Sequence, residues 1–207
     1  MSNKDITPKS EKIVAICGSL RQKSFTRFAL NIALKGAEEL KAQTYLVDLR
    51  DYNLPFYDEN EDYPEDVFRL RRNVSEAQGI ILGSPEFHGG YTGILKNALD
   101  LMGFREFQSK IVGLIGIAGG AAGAINTVNG LRIVCRNLRS WVLPLQVSIP
   151  NAKNEFDDQG HPFNSNLEER LKEVGRQVTK FSFLHNSEQI KEFLQLWEQE
   201  PQNSGGE

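Results

Sequence analysis

Excess positive charge, long apolar runs and clustered cysteines are all missing from this chain, and each absence closes a class of function. The net charge is −3, and no basic run of useful length occurs, so nothing marks a nucleic-acid surface. No apolar stretch reaches the length that spans a bilayer. The opening, M-S-N-K-D-I-T-P-K-S-E-K, is polar and lacks the apolar segment of a secretory signal. The two cysteines, Cys17 and Cys135, have neither metal nor redox spacing. They read as buried thiols of a reducing, cytoplasmic compartment. The P-loop spacing is absent, and no G-x-G-x-x-G fingerprint marks the first turn, which argues against a Rossmann-type NAD site there. No Ser/His/Asp or Cys/His constellation offers a side-chain nucleophile.

What is present is the material of one globular domain with tails: 207 residues, 40% hydrophobic and 25% charged. The chain is organised around Lys12 to Leu30. Ile13 to Cys17 is a short apolar run with the look of a buried parallel strand. A polar loop, Gly18 to Lys23, follows, and a helical pattern begins near Ser24, a good N-cap. Backbone N–H groups at a helix start have no intrahelical partner, and the helix dipole favours negative charge there. Ser19, Ser24 and Thr26 add hydroxyls, and Arg21 adds a charged fork suited to phosphate. The arrangement reads as an anion cradle for the terminal phosphate of a cofactor. The alternative is an ordinary strand-to-helix turn with Arg21 as a solvated charge.

Further along, the patterns predict a helix over Phe25–Lys41, a second strand over Thr44–Leu49 and a long acidic, Tyr- and Pro-rich loop over Arg50–Asp66. The aromatics of that loop, Tyr52, Phe56 and Tyr57, could cover a site or a partner subunit; a solvated crossover is the other reading. Val67–Ala77 is helical, Gly79–Ser84 is a third strand, and Gly93–Met102 is a short helix. Lys110–Ile117, Ala121–Trp141, Gln146–Ile149 and Leu167–Phe183 read as strand, helix, strand and helix. Residues 1–11 form a loose arm, 12–185 the domain, and 186–207 an amphipathic helix with a frayed end. Five strands alternating with helices make a doubly wound parallel α/β sheet. Ligands of such sheets bind beyond the carboxyl ends of the strands.

The loops after strands one, three and four therefore belong together. The second of them is Ser84-Pro85-Glu86-Phe87-His88-Gly89-Gly90-Tyr91. It is stiffened by Pro85, offers a flat face at Phe87 and a ring N–H at His88, and allows close backbone approach at Gly89 and Gly90. The third, Gly116 to Gly123, is almost free of side chains, so backbone N–H groups there can reach the oxygens and nitrogens of a planar ring. One loop suits a phosphate, one suits ring edges and one can lie flat beside a ring. Singly, each has a bland reading: a tight turn, a locally bonded His88, a solvated Glu86. Together they point to a flat, phosphorylated cofactor such as FMN.

The stretches G-S-L-R-x-x-S-F-T, S-P-E-F-H-G-G-Y-T-G-I-L-K-N-A-L-D, A-G-G-A-A-G and V-S-I-P-N-A also carry a resemblance. Between about Lys12 and Leu184 the chain resembles the NADPH-dependent FMN reductase family of flavodoxin-like proteins. The most specific part is P-E-[YF]-x-G followed by G-x-L-K-N-A-x-D. The resemblance implies a flavodoxin-like five-stranded sheet with helices on both faces, and bound FMN. It places the phosphate at Ser19, Arg21, Ser24 and Thr26 with backbone help from Phe25. The isoalloxazine would lie along Pro85, Glu86, Phe87, His88 and Gly89, beside Ala118, Gly119 and Gly120. It further implies NADPH or NADH as co-substrate, ping-pong transfer to a small acceptor (quinone, flavin, azo compound, chromate or ferric complex), and a homodimer or homotetramer with Leu95–Met102 near the interface. The chain departs from the family at Phe87, His88 and Thr26, where Tyr, Asn and Asn are usual. No clamp for the 2′-phosphate of NADPH stands out beyond Arg105. The competing functions are a flavodoxin-type electron carrier and an interaction protein that has lost its cofactor.

Overall fold

The computed structural model of the protein describes residues 11–58 and 62–186, together with Glu192 and Leu196. The expected N-terminal arm and C-terminal helix lie outside the described residues, apart from Glu11, Asn186 and those two positions. Five strands, β1 (Lys12–Cys17), β2 (Gln43–Asp48), β3 (Gly79–Pro85), β4 (Ile111–Ile117) and β5 (Trp141–Ile149), form one sheet in the order β2-β1-β3-β4-β5. Every neighbouring pair is parallel. The helices are α1 (Phe25–Glu39), α2 (Glu65–Ser75), α3 (Gly93–Asp100), α4 (Phe104–Phe107), α5 (Ile125–Asn137) and α6 (Ser165–His185). The doubly wound parallel sheet read from the sequence is thus the observed one.

The apolar runs explain which strands are central. β4 is buried at every residue, and β1 and β3 nearly so, as a strand covered on both faces must be. Successive side chains alternate between two cores. Ile13, Ala15, Cys17 and Ile81 pack with Ala29, Leu30 and Ala33 of α1 and Leu171, Val174 and Val178 of α6. Val14, Ile16, Ile80 and Leu82 pack on the other face with Leu70 and Val74 of α2, Leu95 of α3 and Val128 and Leu131 of α5. Each buried aliphatic side chain contributes roughly 1.5–3 kcal/mol. α1 and α6 meet almost backbone to backbone. A Cβ on Gly36 would sit 2.0 Å from the Lys172 carbonyl oxygen, and one on Gly175 would sit 1.8 Å from that of Ala33.

Of the elements read from the sequence, two differ by more than two residues at an end. α5 starts at Ile125 rather than Ala121, because the chain first makes a turn in which Gly123 takes φ 73°. It ends at Asn137, since Arg139 adopts φ 60°, and Trp141 then belongs to β5 instead of the helix. β5 begins five residues earlier than its apolar run because it is an edge strand with a register shift opposite Val112–Leu114. Pro144, which has no N–H for a ladder, is tolerated at such an irregular edge. The one-turn α4 carries no periodic signal in the sequence. Within the long loop, Tyr52 is a core residue under α2: Asn73 Nδ2 donates to its hydroxyl at 3.2 Å, and the Arg69 guanidinium lies 3.9 Å from its ring centre. Burial pushes its hydroxyl up to about 12. Phe56 and Tyr57 face solvent.

Candidate functional site

The register places the ends of β1, β3 and β4 in one row. Cys17 lies opposite Gly83, and Pro85 lies opposite Ile117. The three loops that follow therefore emerge at one edge of the sheet. They are also tied to one another. Thr92, the N-cap of α3, donates its hydroxyl to Gly18 O at 2.6 Å, while its own N–H donates to Ser84 Oγ at 3.0 Å. This bonds the first loop to the start of α3 and to the end of β3.

In the first loop, Ser24 caps α1, its Oγ accepting from Arg27 N at 3.2 Å. None of the backbone N–H groups from Ser19 to Thr26 donates to a protein acceptor among the described residues. Ser19 and Thr26 are buried, and their hydroxyls have no protein partner among the described residues either. The loop carbonyls, in contrast, are held. Arg27 Nη1 donates to Gln22 O and Nη2 to Arg21 O, both at 2.9 Å, while Nε donates to Asp48 Oδ2 at 2.7 Å. Asp48 is buried at the end of β2 and also receives Arg50. Burial raises its carboxyl, but hydrogen bonds from Arg50 and the charge and hydrogen bond of Arg27 outweigh that and leave it below the usual carboxylate range. The first turn of α1 contains no acid, so the dipole at its start is uncompensated. These donors fit a phosphate.

The sequence reading missed Arg27 and Asp48. The available signal was a cation in the first turn of a helix, where acids are favoured. Arg21 is exposed and points across the mouth, its guanidinium 5.9 Å from the Phe87 ring centre. Phe25 turns its ring away, stacking on Phe156 with centroids 5.8 Å apart, so only its N–H belongs to the loop.

The second loop is a tight turn closed by Phe87 N to Gly90 O at 2.9 Å and Gly90 N to Phe87 O at 3.1 Å. His88 and Gly89 take φ 52° and 78°, the pair of positive values that marks a type I′ turn. His88 therefore stands where a left-handed backbone is required, and Asn and His are among the side chains that accept it. Phe87 and His88 are exposed at the tip. Glu86 is half-buried, and its Oε2 accepts from Thr127 N at 3.0 Å. Pro85 ends β3.

In the third loop, Ala118 N donates to Ile149 O at 2.8 Å, and Gly120 O accepts from Asn151 N at 3.1 Å. Gly119 and Gly120 are exposed, have ordinary φ values, and would meet nothing within 4 Å if they carried a Cβ. Neither crowding nor backbone conformation calls for glycine there. The two glycines leave an open stretch of backbone without side chains. Arg105 is far from all of this. It sits on α4, which leads into the amino end of β4, at the opposite end of the strands from the three loops. A cleft of about 460 Å³ between α1, β2 and residues 159–162 also lies away from the three loops.

The family model for NADPH-dependent FMN reductases matches residues 11–154. Among individual proteins, the chain is 32% identical over 178 residues to the NADPH-dependent FMN reductase ArsH of Shigella flexneri, covering 84% of this chain and 69% of that one. It is 33% identical over 168 residues to an FMN-dependent NADPH-azoreductase of Staphylococcus saprophyticus, covering 78% of this chain and 88% of the relative. Of solved structures, the flavoenzyme FerB, an NAD(P)H:(acceptor) oxidoreductase of Paracoccus denitrificans, superposes with a TM-score of 0.73 at 21% identity, over 84% of this chain and 98% of the other. The donor-rich first loop, the tied turn of the second and the open glycines of the third thus sit in a chain that belongs to the NADPH-dependent FMN reductase family.

Proposed function

We propose that the three loops hold FMN and that the protein passes hydride from NADPH to a small electron acceptor at this one open edge. The N–H row from Ser19 to Thr26, unpartnered among the described residues, carries the reading, because Arg27 ties back the Arg21 and Gln22 carbonyls and the Ser19 and Thr26 hydroxyls have no protein partner among those residues. Bound FMN supplies the hydride relay that no side chain here could perform. Ser19, Ser24, Thr26 and the start of α1 bind the phosphate, and Arg21 closes over it from the mouth. The Glu86 and Phe87 N–H groups are used within the protein, so the backbone N–H groups of His88 and Gly89, with the shelf at Gly119 and Gly120, orient the ring. With one face open, NADPH and the acceptor take turns, giving ping-pong kinetics. Quinones, azo compounds and other flat acceptors fit such a face.

The reaction belongs in a reducing cytoplasm, a reading supported by two buried free thiols, Cys17 and Cys135. Among the described residues no helix is long and apolar enough to cross a membrane. The active form is a homodimer or homotetramer. Phe56, 84% exposed, and Tyr57 stand beside α3, whose Asn97 Nδ2 donates to Pro55 O at 3.0 Å. The deciding experiment is an anaerobic visible spectrum before and after NADPH. Yellow bands that bleach are expected. Bands that persist with both NADPH and NADH would favour an electron carrier, and a protein that stays colourless after added FMN would overturn the reading.

A further inference from the structure

Helix α5 lacks a cap of its own. Its N-cap residue is Ala124, which has no side-chain acceptor, and its first turn contains no acid. The N–H groups of a first turn need partners, and a carboxylate there also meets the positive end of the dipole. That partner comes from 41 residues away, since Glu86 Oε2 accepts from Thr127 N at 3.0 Å. The backbone of Glu86 is fixed as well, its N–H donating to Ile117 O at 2.7 Å. One residue of the second loop is therefore bonded to both ends of the third: by its backbone to the end of β4, and by its side chain to the start of α5. On the far side, Ser148 Oγ accepts from Ala124 N at 2.8 Å. Between these anchors lie Gly119 and Gly120, which are exposed and have open space where a Cβ would stand, with Gly120 O accepting from Asn151 N at 3.1 Å.

We infer that Glu86 is a positioning residue whose carboxylate clamps the ring-edge turn to the start of α5 and so sets the width of the slot between the second and third loops. What occupies the slot rests on the FMN reading; the clamp is a property of the polypeptide alone. Glu86→Gln keeps an acceptor oxygen at the same reach, and Glu86→Ala keeps none. In protein without FMN, amide exchange across residues 118–127 should quicken about tenfold in Glu86→Ala, the order of one lost helix cap, and stay near wild type in Glu86→Gln. The FMN dissociation constant, read from quenching of flavin fluorescence, should rise about tenfold in Glu86→Ala and much less in Glu86→Gln. Unchanged FMN affinity in Glu86→Ala overturns the inference, as does a Glu86→Gln variant as weak as Glu86→Ala. If the wild-type protein takes up no FMN, the FMN reading fails and exchange alone decides: equal rates in wild type and Glu86→Ala then overturn the clamp.

Discussion

Arg21 and Arg27 flank the same loop and do different things there. Arg21 is exposed, and among the described residues its one aromatic contact is with Phe87 across the mouth, so its removal should leave the fold alone. Arg21→Ala is expected to weaken FMN binding by about 10–100-fold, the worth of one charged hydrogen bond, with the melting temperature unchanged. Titration of flavin fluorescence checks this; unaltered affinity would remove Arg21 from the phosphate site. Arg27 spans two carbonyls and a buried carboxylate. Arg27→Ala should lower both affinity and melting temperature, because Asp48 would lose one of its two cationic partners inside the protein. The acid limb follows from the same pair. The folded-state pKa of Asp48 is held below its unfolded value, so its stabilisation is complete above the unfolded value and lost as pH falls through the folded one. Asp48→Asn should be less stable than wild type at neutral pH, with the gap closing on acidification in parallel thermal melts. That Arg21 stands exposed in a loop is legible from its polar, Ser-flanked stretch. The Arg27–Asp48 bond is not, because it joins positions 21 residues apart through a strand pairing that no local pattern reveals.

At the scale of elements, legibility follows burial. β1, β3 and β4 are covered on both faces and announce themselves as apolar runs, whereas β5 mixes exposed Trp141 and Pro144 with buried Leu143 and was read only in its last four residues. The start of α5 was misplaced because Ala121 and Ala122 are good helix formers, while the turn at Gly123 and the borrowed cap from Glu86 depend on tertiary neighbours. The packing of α1 on α6 was equally hidden, since Gly36 and Gly175 mark a contact only once both helices are placed. It yields a sharp test. Gly175→Ala puts a methyl into the Ala33 carbonyl and should cost about 3 kcal/mol or more through overpacking. Chemical denaturation would read this loss, and the flavin affinity of the folded fraction should be untouched, since the contact lies on a helix pair outside the three loops.

For the molecule as a whole, a ligand that binds only the folded chain raises its stability by mass action. At a hundredfold excess over its dissociation constant, FMN should add about 2.7 kcal/mol and raise the melting temperature by about 5–10 °C. Riboflavin, which has the ring without the phosphate, should do far less. Equal shifts from the two would mean that the Ser19–Thr26 cradle contributes nothing. The α1–α6 contact also has a bearing on how the chain is made. Arg176 reaches Glu39 across 137 residues, so α1 leaves the ribosome long before the helix that covers its sheet face has been synthesised. Until then, the apolar stripe of Ala29, Leu30 and Ala33 and the sheet face beneath it lack their lid. Closing so large a loop is a late and slow event in folding. Nascent chains stalled short of Gly175 should therefore be protease-sensitive and prone to associate with chaperones, and those extended past His185 should become resistant.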